Sequence, residues 1–109
     1  MNKIRILVAQ LDKIFLIDTN DIIYCKSDNS YVFIYLDNMD PILLTKSLSK
    51  FEQELPNTCF LRVSQSFVIN RRQIKCIDKK KRVIELNGGF FVPYTLPLKE
   101  LLLFIKSKE

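Results

Sequence analysis

The sequence predicts a mainly β protein of about ten short antiparallel strands, with one short central helix and one short C-terminal helix. Three observations carry that prediction. Runs of three to six mostly β-branched and aromatic residues recur along the chain, as in Tyr31 to Leu36 and Phe67-Val68-Ile69. Turn signals such as Asp18-Thr19-Asn20-Asp21 and Asn87-Gly88-Gly89 separate them. Helical spacing occurs in only two places. Strands at this frequency indicate an all-β sandwich or barrel. A chain of 109 residues has material for one core, so residues 1–109 are expected to form one domain with its core from about 4 to 105.

In order, Ile4 to Val8 and Ile14 to Ile17 form an opening hairpin around Gln10 to Lys13. Ile22 to Cys25 is a third strand, followed by the polar loop Lys26 to Ser30. Tyr31 to Leu36 is apolar on both faces, which suits a strand covered on both sides. After the turn Asp37 to Pro41 comes the short strand Ile42 to Leu44. Thr45 or Ser47 can cap a helix over Leu48 to Leu55, in which Leu48, Phe51 and Leu55 share a face and which Pro56 stops. Ile74 to Ile77 and Val83 to Leu86 are strands across the turn Asp78 to Lys81. Phe90 to Val92 is the last strand, and Pro97 introduces a leucine-rich helix from Leu98 to Ile105.

The stretch from Phe60 to Ile74 holds the most informative pattern. Leu61 and Val63 alternate with Arg62 and Ser64, and Phe67 to Ile69 follows after Ser64-Gln65-Ser66. This is a hairpin with hydrogen-bonding side chains at its tip and arginines on its flanks. Leu61 and Phe67 are expected to be buried beneath it. The net charge is +5, yet the segment from Arg62 to Arg82 has eight Lys or Arg against one Asp. A basic excess gathered in one segment is the footprint of a polyanion-binding face. If each strand simply reverses, Lys26 to Ser30, Ser64 to Ser66 and Tyr94 to Leu96 fall at one end. The acidic turn Asp37 to Asp40 and Asn87 to Gly89 then fall at the other.

Other chemistry is poorly supplied. The chain has no histidine, no Gly-rich phosphate loop and no CxxC pair, which argues against an enzyme and against a zinc site. Cys25, Cys59 and Cys76 are odd in number and widely spaced, as buried free thiols of a reducing cytoplasm would be. No stretch reaches the ~18 apolar residues of a membrane span. A cytoplasmic protein without cofactor or membrane partner is expected.

The pattern Asp21-Ile22-Ile23-Tyr24, Ser30-Tyr31-Val32, Leu48 to Leu55, Phe60-Leu61-Arg62-Val63-Ser64-Gln65-Ser66-Phe67-Val68-Ile69-Asn70, Ile74 to Ile77, Asn87-Gly88 and Val92-Pro93 resembles the LytTR-type DNA-binding domain. The resemblance covers nearly the whole chain. It is most specific in the central Phe-x-Arg-Val-x-x-Ser-aromatic-x-x-Asn stretch. It implies an elongated multi-sheet sandwich of three antiparallel sheets. It also implies bacterial transcription regulation, usually as the output half of a two-component response regulator, with loops reading bases in two successive major grooves.

Carried over by position, base contacts fall to Asn29, Ser30, Gln65 and Thr95. Phosphate contacts are suggested at Lys46, Ser47, Arg62, Ser64, Ser66, Arg71 and Arg72, on charge and position. Ser64 and Gln65 stand where the family commonly has His then Arg or Asn, and Thr95-Leu96 stands where it commonly has Ser-Arg. Gln65 can pair bidentately with adenine. Asn70 has a competing structural role, because asparagine side chains commonly bond nearby backbone. Double-stranded DNA is the expected partner. A second copy on a direct-repeat site, and a receiver domain or sensor kinase pathway outside this chain, are further candidate partners. The chain is either a stand-alone regulator or a domain of a larger one. The residues also fit two other readings: a single-stranded nucleic-acid barrel stacking bases on Tyr31, Phe33 and Tyr35, and a basic module for an acidic protein partner.

Overall fold

The computed structural model describes residues 5–107, so an opening strand from Ile4 lies partly outside the described residues. The short β-branched runs become ten strands: β1 Arg5–Gln10, β2 Lys13–Asp18, β3 Ile22–Asp28, β4 Tyr31–Leu36, β5 Ile42–Leu44, β6 Phe60–Arg62, β7 Phe67–Asn70, β8 Ile74–Asp78, β9 Val83–Leu86 and β10 Phe90–Pro93. Helix α1, Leu48–Glu52, lies between β5 and β6, and α2, Leu98–Lys106, ends the fold. The strands make three antiparallel sheets: β1-β2, β5-β4-β3-β7-β6 and β10-β9-β8.

Side-chain alternation assigns each sheet face to a core. Val32, Ile34, Leu36, Ile42, Cys25 and Val68 face one way. Against them pack Ile6, Val8 and Ile17 of the β1-β2 hairpin and Leu48, Phe51 and Leu55 of the α1 region. The opposite face contributes Tyr24 and Ile69 to a second core with Ile84, Leu86 and Val92 of the three-stranded sheet and Leu101 of α2. A register shift between Ile22 and Tyr24 lets β3 serve both sides. Ile22 enters the first core while Ile23 and Tyr24 both enter the second. One extra residue in a strand turns the following side chains to the other face.

Four local expectations are corrected. β3 continues through Lys26 to Asp28, because Lys26, Ser27 and Asp28 pair with Phe33, Val32 and Tyr31 and leave a turn of only Asn29 and Ser30. Helix α1 ends at Glu52, not Leu55. Beyond it, Glu54 N–H bonds to Phe51 O and Leu55 N–H to Glu52 O, three residues back, so the chain tightens into 3-10 geometry and Leu55 stays buried. Leu61 and Phe67 are only half-buried, and the fully buried residues of that hairpin are Val63, Val68, Ile69 and Asn70. Cys25 and Cys59 are buried, but Cys76 lies on an exposed position of β8. Burial pushes the Cys25 thiol up, and a hydrogen bond to Glu85 does so first for Cys76.

Both faces of β4 are apolar, yet the two are covered unequally. Val32 and Ile34 are fully buried. On the other face Tyr35 stacks on Tyr24 with ring centroids 4.3 Å apart, Phe33 is half-buried and Tyr31 is exposed. A single exposed ring is not the row of stacking platforms that a single-strand binder uses. No helix among the described residues is long and apolar enough to cross a membrane.

Candidate nucleic-acid interface

The hairpin of β6 and β7 is closed by a turn whose backbone is held from several sides. Val63 N–H donates to Phe67 O at 2.9 Å, and Ser66 N–H to Ser64 Oγ at 3.2 Å. Arg62 is the main brace. Its Nε donates to Ser64 O at 2.9 Å and its Nη2 to Gln65 O at 2.5 Å. Its Nη1 reaches Ser49 Oγ at 3.3 Å and Glu52 Oε1 at 3.2 Å. A guanidinium has five N–H donors, so these contacts leave at most one for anything else. With the carbonyls of Ser64 and Gln65 tied down, the exposed Gln65 side chain projects from a fixed backbone.

Two more loops are stitched to the same turn by main-chain bonds. Ser27 N–H donates to Ser66 O at 2.9 Å, which brings the end of β3 and its Asn29-Ser30 turn alongside. Asn29 adopts a φ of 56°, a left-handed conformation that asparagine tolerates better than most residues. On the other side Val63 O accepts from Thr95 N–H at 2.8 Å and Leu96 N–H at 3.4 Å. The exposed Thr95 and the tip residue Gln65 are thereby placed on one end of the molecule. Leu96 is half-buried against the second core, so the residue at this corner that cannot donate to a base is a packing residue.

The same end holds four cations of the basic segment. Lys79, Lys80, Lys81 and Arg82 connect β8 to β9, and all four are exposed. Arg82 O accepts from Tyr94 N–H at 3.1 Å, and Arg82 Nη2 donates to Leu96 O at 2.5 Å. Its guanidinium lies 4.4 Å from the centroid of the Tyr94 ring. The basic turn is therefore fastened directly to the Thr95-Leu96 corner. The run of four cations was visible in the sequence; its neighbour across β10 was not.

Lys46 and Ser47 lie just past β5, whose Leu44 pairs with Val32, so they too stand towards this end. Ser47 caps α1 by accepting from Lys50 N–H at 3.2 Å, and Lys46 is paired with Glu54. Ser64 and Ser66 are half-buried within the turn itself.

Arg71 and Arg72 are not at this end. The length of β7 separates them from Ser64 to Ser66, so the expectation that Arg72 flanks the tip is corrected. Asn70 and the residues after it form a single 3-10 turn there. Arg71 donates from Nη1 to Phe104 O at 2.7 Å and Ser107 O at 2.9 Å, and from Nη2 to Thr58 O. Its guanidinium lies 4.9 Å from the Phe104 ring, and it ties the end of α2 to the chain before β6. Arg72 reaches Asn20 Oδ1 at 3.4 Å. Asn70, fully buried, accepts from Arg72 N–H at 3.0 Å and donates to Ile22 O at 2.9 Å, the structural role its competing reading anticipated. Asn87 N–H bonds to Gln73 O at this opposite end. Asp37 to Asp40 line one groove with Gly88 and Phe90, so the acidic turn lies far from the basic one.

Known proteins share this arrangement. The LytTr DNA-binding domain family matches residues 12–102. "Sensory transduction protein LytT" of Enterococcus faecalis is 31% identical over 82 residues, covering 72% of this chain and 34% of that protein. The protein of the same name from Bacillus subtilis is 33% identical over 89 residues, covering 82% of this chain and 33% of its own. The chain thus spans about a third of the length of these relatives. A solved LytTr DNA-binding domain of a Bacillus cereus response regulator superposes with a TM-score of 0.78 at 19% identity, covering 94% of this chain and 97% of that one. At that identity the likeness speaks for the fold.

Proposed function

We propose, from the premise that this chain belongs to the LytTr DNA-binding domain family, that it binds double-stranded DNA sequence-specifically through the turns at one end of the fold. Its role is DNA binding in transcription regulation and not catalysis. The observation that carries the finer reading is the joining of three turns by main-chain hydrogen bonds around Val63 to Ser66, with the Lys79 to Arg82 turn fastened beside them. The body measures 43 × 34 × 25 Å.

Base reading is assigned to Asn29, Ser30, Gln65 and Thr95. Phosphate contacts are assigned to Lys46, Ser47, Ser64 and Ser66, joined by Lys79, Lys80 and Lys81. Arg62 serves mainly by bracing the turn, with its remaining donor towards a phosphate. Arg71 and Arg72 would meet only a duplex that wrapped to the opposite end, so the reading gives them positioning roles. The name of the relatives brings sensory signalling as context. A receiver domain or a separate sensor kinase pathway would then control when this domain binds, with the domain acting in the cytoplasm.

Gln65→Ala tests the assignment. A bidentate pair between a glutamine amide and adenine discriminates by about 1–3 kcal/mol, or roughly ten- to a hundredfold. Competition binding against a randomised duplex library should show that loss at one base pair. Affinity for non-specific DNA and the melting temperature should hardly move, because no charge is lost at an exposed turn. An unchanged preference at every base pair would refute base reading by the hairpin tip.

A further inference from the structure

The β1-β2 hairpin is a sheet of two strands whose inner side closes the first core. Its outer side departs from the usual polar alternation of a half-exposed sheet. The pairs Leu7↔Leu16 and Ala9↔Ile14 project there, with Arg5↔Asp18 beyond them. Leu7 is 68% exposed, Ile14 73% and Leu16 53%. Single exposed leucines are ordinary on protein surfaces. Here opposed pairs gather them into one contiguous apolar patch. The family match begins at residue 12, so β1, which is half of this face, lies outside the matched region.

We propose that this face is an isologous interface between two copies of the chain. A twofold axis running parallel to the strands sets β1 of one copy over β2 of the other. Each cross-strand pair then meets its own reverse. Leu7 faces Leu16 of the second copy, Ala9 faces Ile14, and Arg5 faces the oppositely charged Asp18, with every contact made twice. Asp18 already accepts from Asn20 N–H at 2.9 Å through Oδ1, and a carboxylate has further acceptor sites for the incoming arginine. The apolar patch is on the order of a few hundred Å², smaller than the ~800 Å² per partner of a standard interface. The dimer is therefore weak and its population rises with concentration.

The same axis keeps the two DNA-facing ends on one side. Leu11 at the hairpin tip lines a groove with Tyr31 and Thr45, beside the Asn29-Ser30 turn.

Sedimentation equilibrium without DNA tests the interface independently of DNA binding. The chain should show a monomer–dimer equilibrium between about 5 and 500 µM. Leu7→Gln with Leu16→Gln should weaken it at least about tenfold with the melting temperature unchanged, since both side chains are exposed. Arg5→Glu should weaken it as well, by facing Asp18 with a like charge. Adding Asp18→Asn, which keeps the acceptor for Asn20 N–H, should recover part of that loss. Leu103→Gln, at an exposed site on α2, should change nothing. A species of monomer mass at every concentration, or a dimer indifferent to the Leu7 and Leu16 changes, would overturn the proposal.

Discussion

Asn70→Leu is expected to be among the most destabilising single substitutions in this protein. The side chain is fully buried and bridges two segments distant in sequence. Its Oδ1 accepts from Arg72 N–H, and its Nδ2 donates to Ile22 O and, at 3.4 Å, to Asn20 O. Leucine is similar in size but can make none of these bonds. A buried backbone group left without its partner costs about 1–3 kcal/mol. Two such groups bring the loss to roughly 2–6 kcal/mol against a total stability of about 5–15 kcal/mol. The melting temperature should fall by about 10 °C or more. Asn70→Asp should also fail, because it keeps the acceptor for Arg72 but turns a carboxylate towards the Ile22 carbonyl. Well below its melting temperature, Asn70→Leu should bind duplex DNA nearly as the parent does, since Asn70 lies at the opposite end from Gln65. Thermal unfolding and a DNA titration at low temperature check both halves. An unchanged melting temperature would mean that the bridge contributes little.

Replacing Lys79, Lys80 and Lys81 together by Gln should have the largest effect on DNA affinity. Each Lys that neutralises a phosphate steepens the fall of log K with log salt by about 0.9. Loss of all three should lower the slope by roughly 2–3 and weaken binding at low salt by about a hundredfold. The loss should be similar for every duplex sequence, because phosphate contacts carry no base information. Stability should change by less than about 0.5 kcal/mol, as the three side chains are exposed. A triple variant with the parental slope would remove the turn from the interface.

Much of the fold could be read from the residues, for identifiable reasons. Strand periodicity located ten strands, because Val32, Ile34 and Leu36 or Ile84 and Leu86 must face a core. Pro97 marked a helix start correctly, since proline lacks an N–H, whereas α1 ends at Glu52, before Pro56 is reached. The polar residues Lys26 to Asp28 looked like a loop because nothing local shows that β4 is waiting to pair with them. The bulge at Ile23 is equally hidden, as it exists to serve two cores that form only in the folded chain.

The interface was legible where its parts were adjacent in sequence. Ser64-Gln65-Ser66 forms the turn that its composition suggests, with Gln65 exposed at its tip. Arg62, Arg71 and Arg72 misled by proximity. They look like one basic cluster, yet the four residues of β7 set the last two at the opposite end, and Arg62 is drawn into the turn it braces. Lys79 to Arg82 belong to the basic segment, and the strand reversal that places Thr95 and Leu96 at this end places them there too; the hydrogen bond that fastens Arg82 to Leu96 has no local signal.

The most direct measurement of where DNA sits is an amide chemical-shift titration of the labelled protein with a duplex carrying its selected site. Perturbations are expected at Asn29, Ser30, Ser64 to Ser66, Lys79 to Arg82 and Thr95, with Asp37 to Asp40 and Asn87 to Gly89 unmoved. Perturbations gathered instead around Asp37, Arg72 and Asn87, or spread evenly over both ends, would contradict DNA binding by these turns.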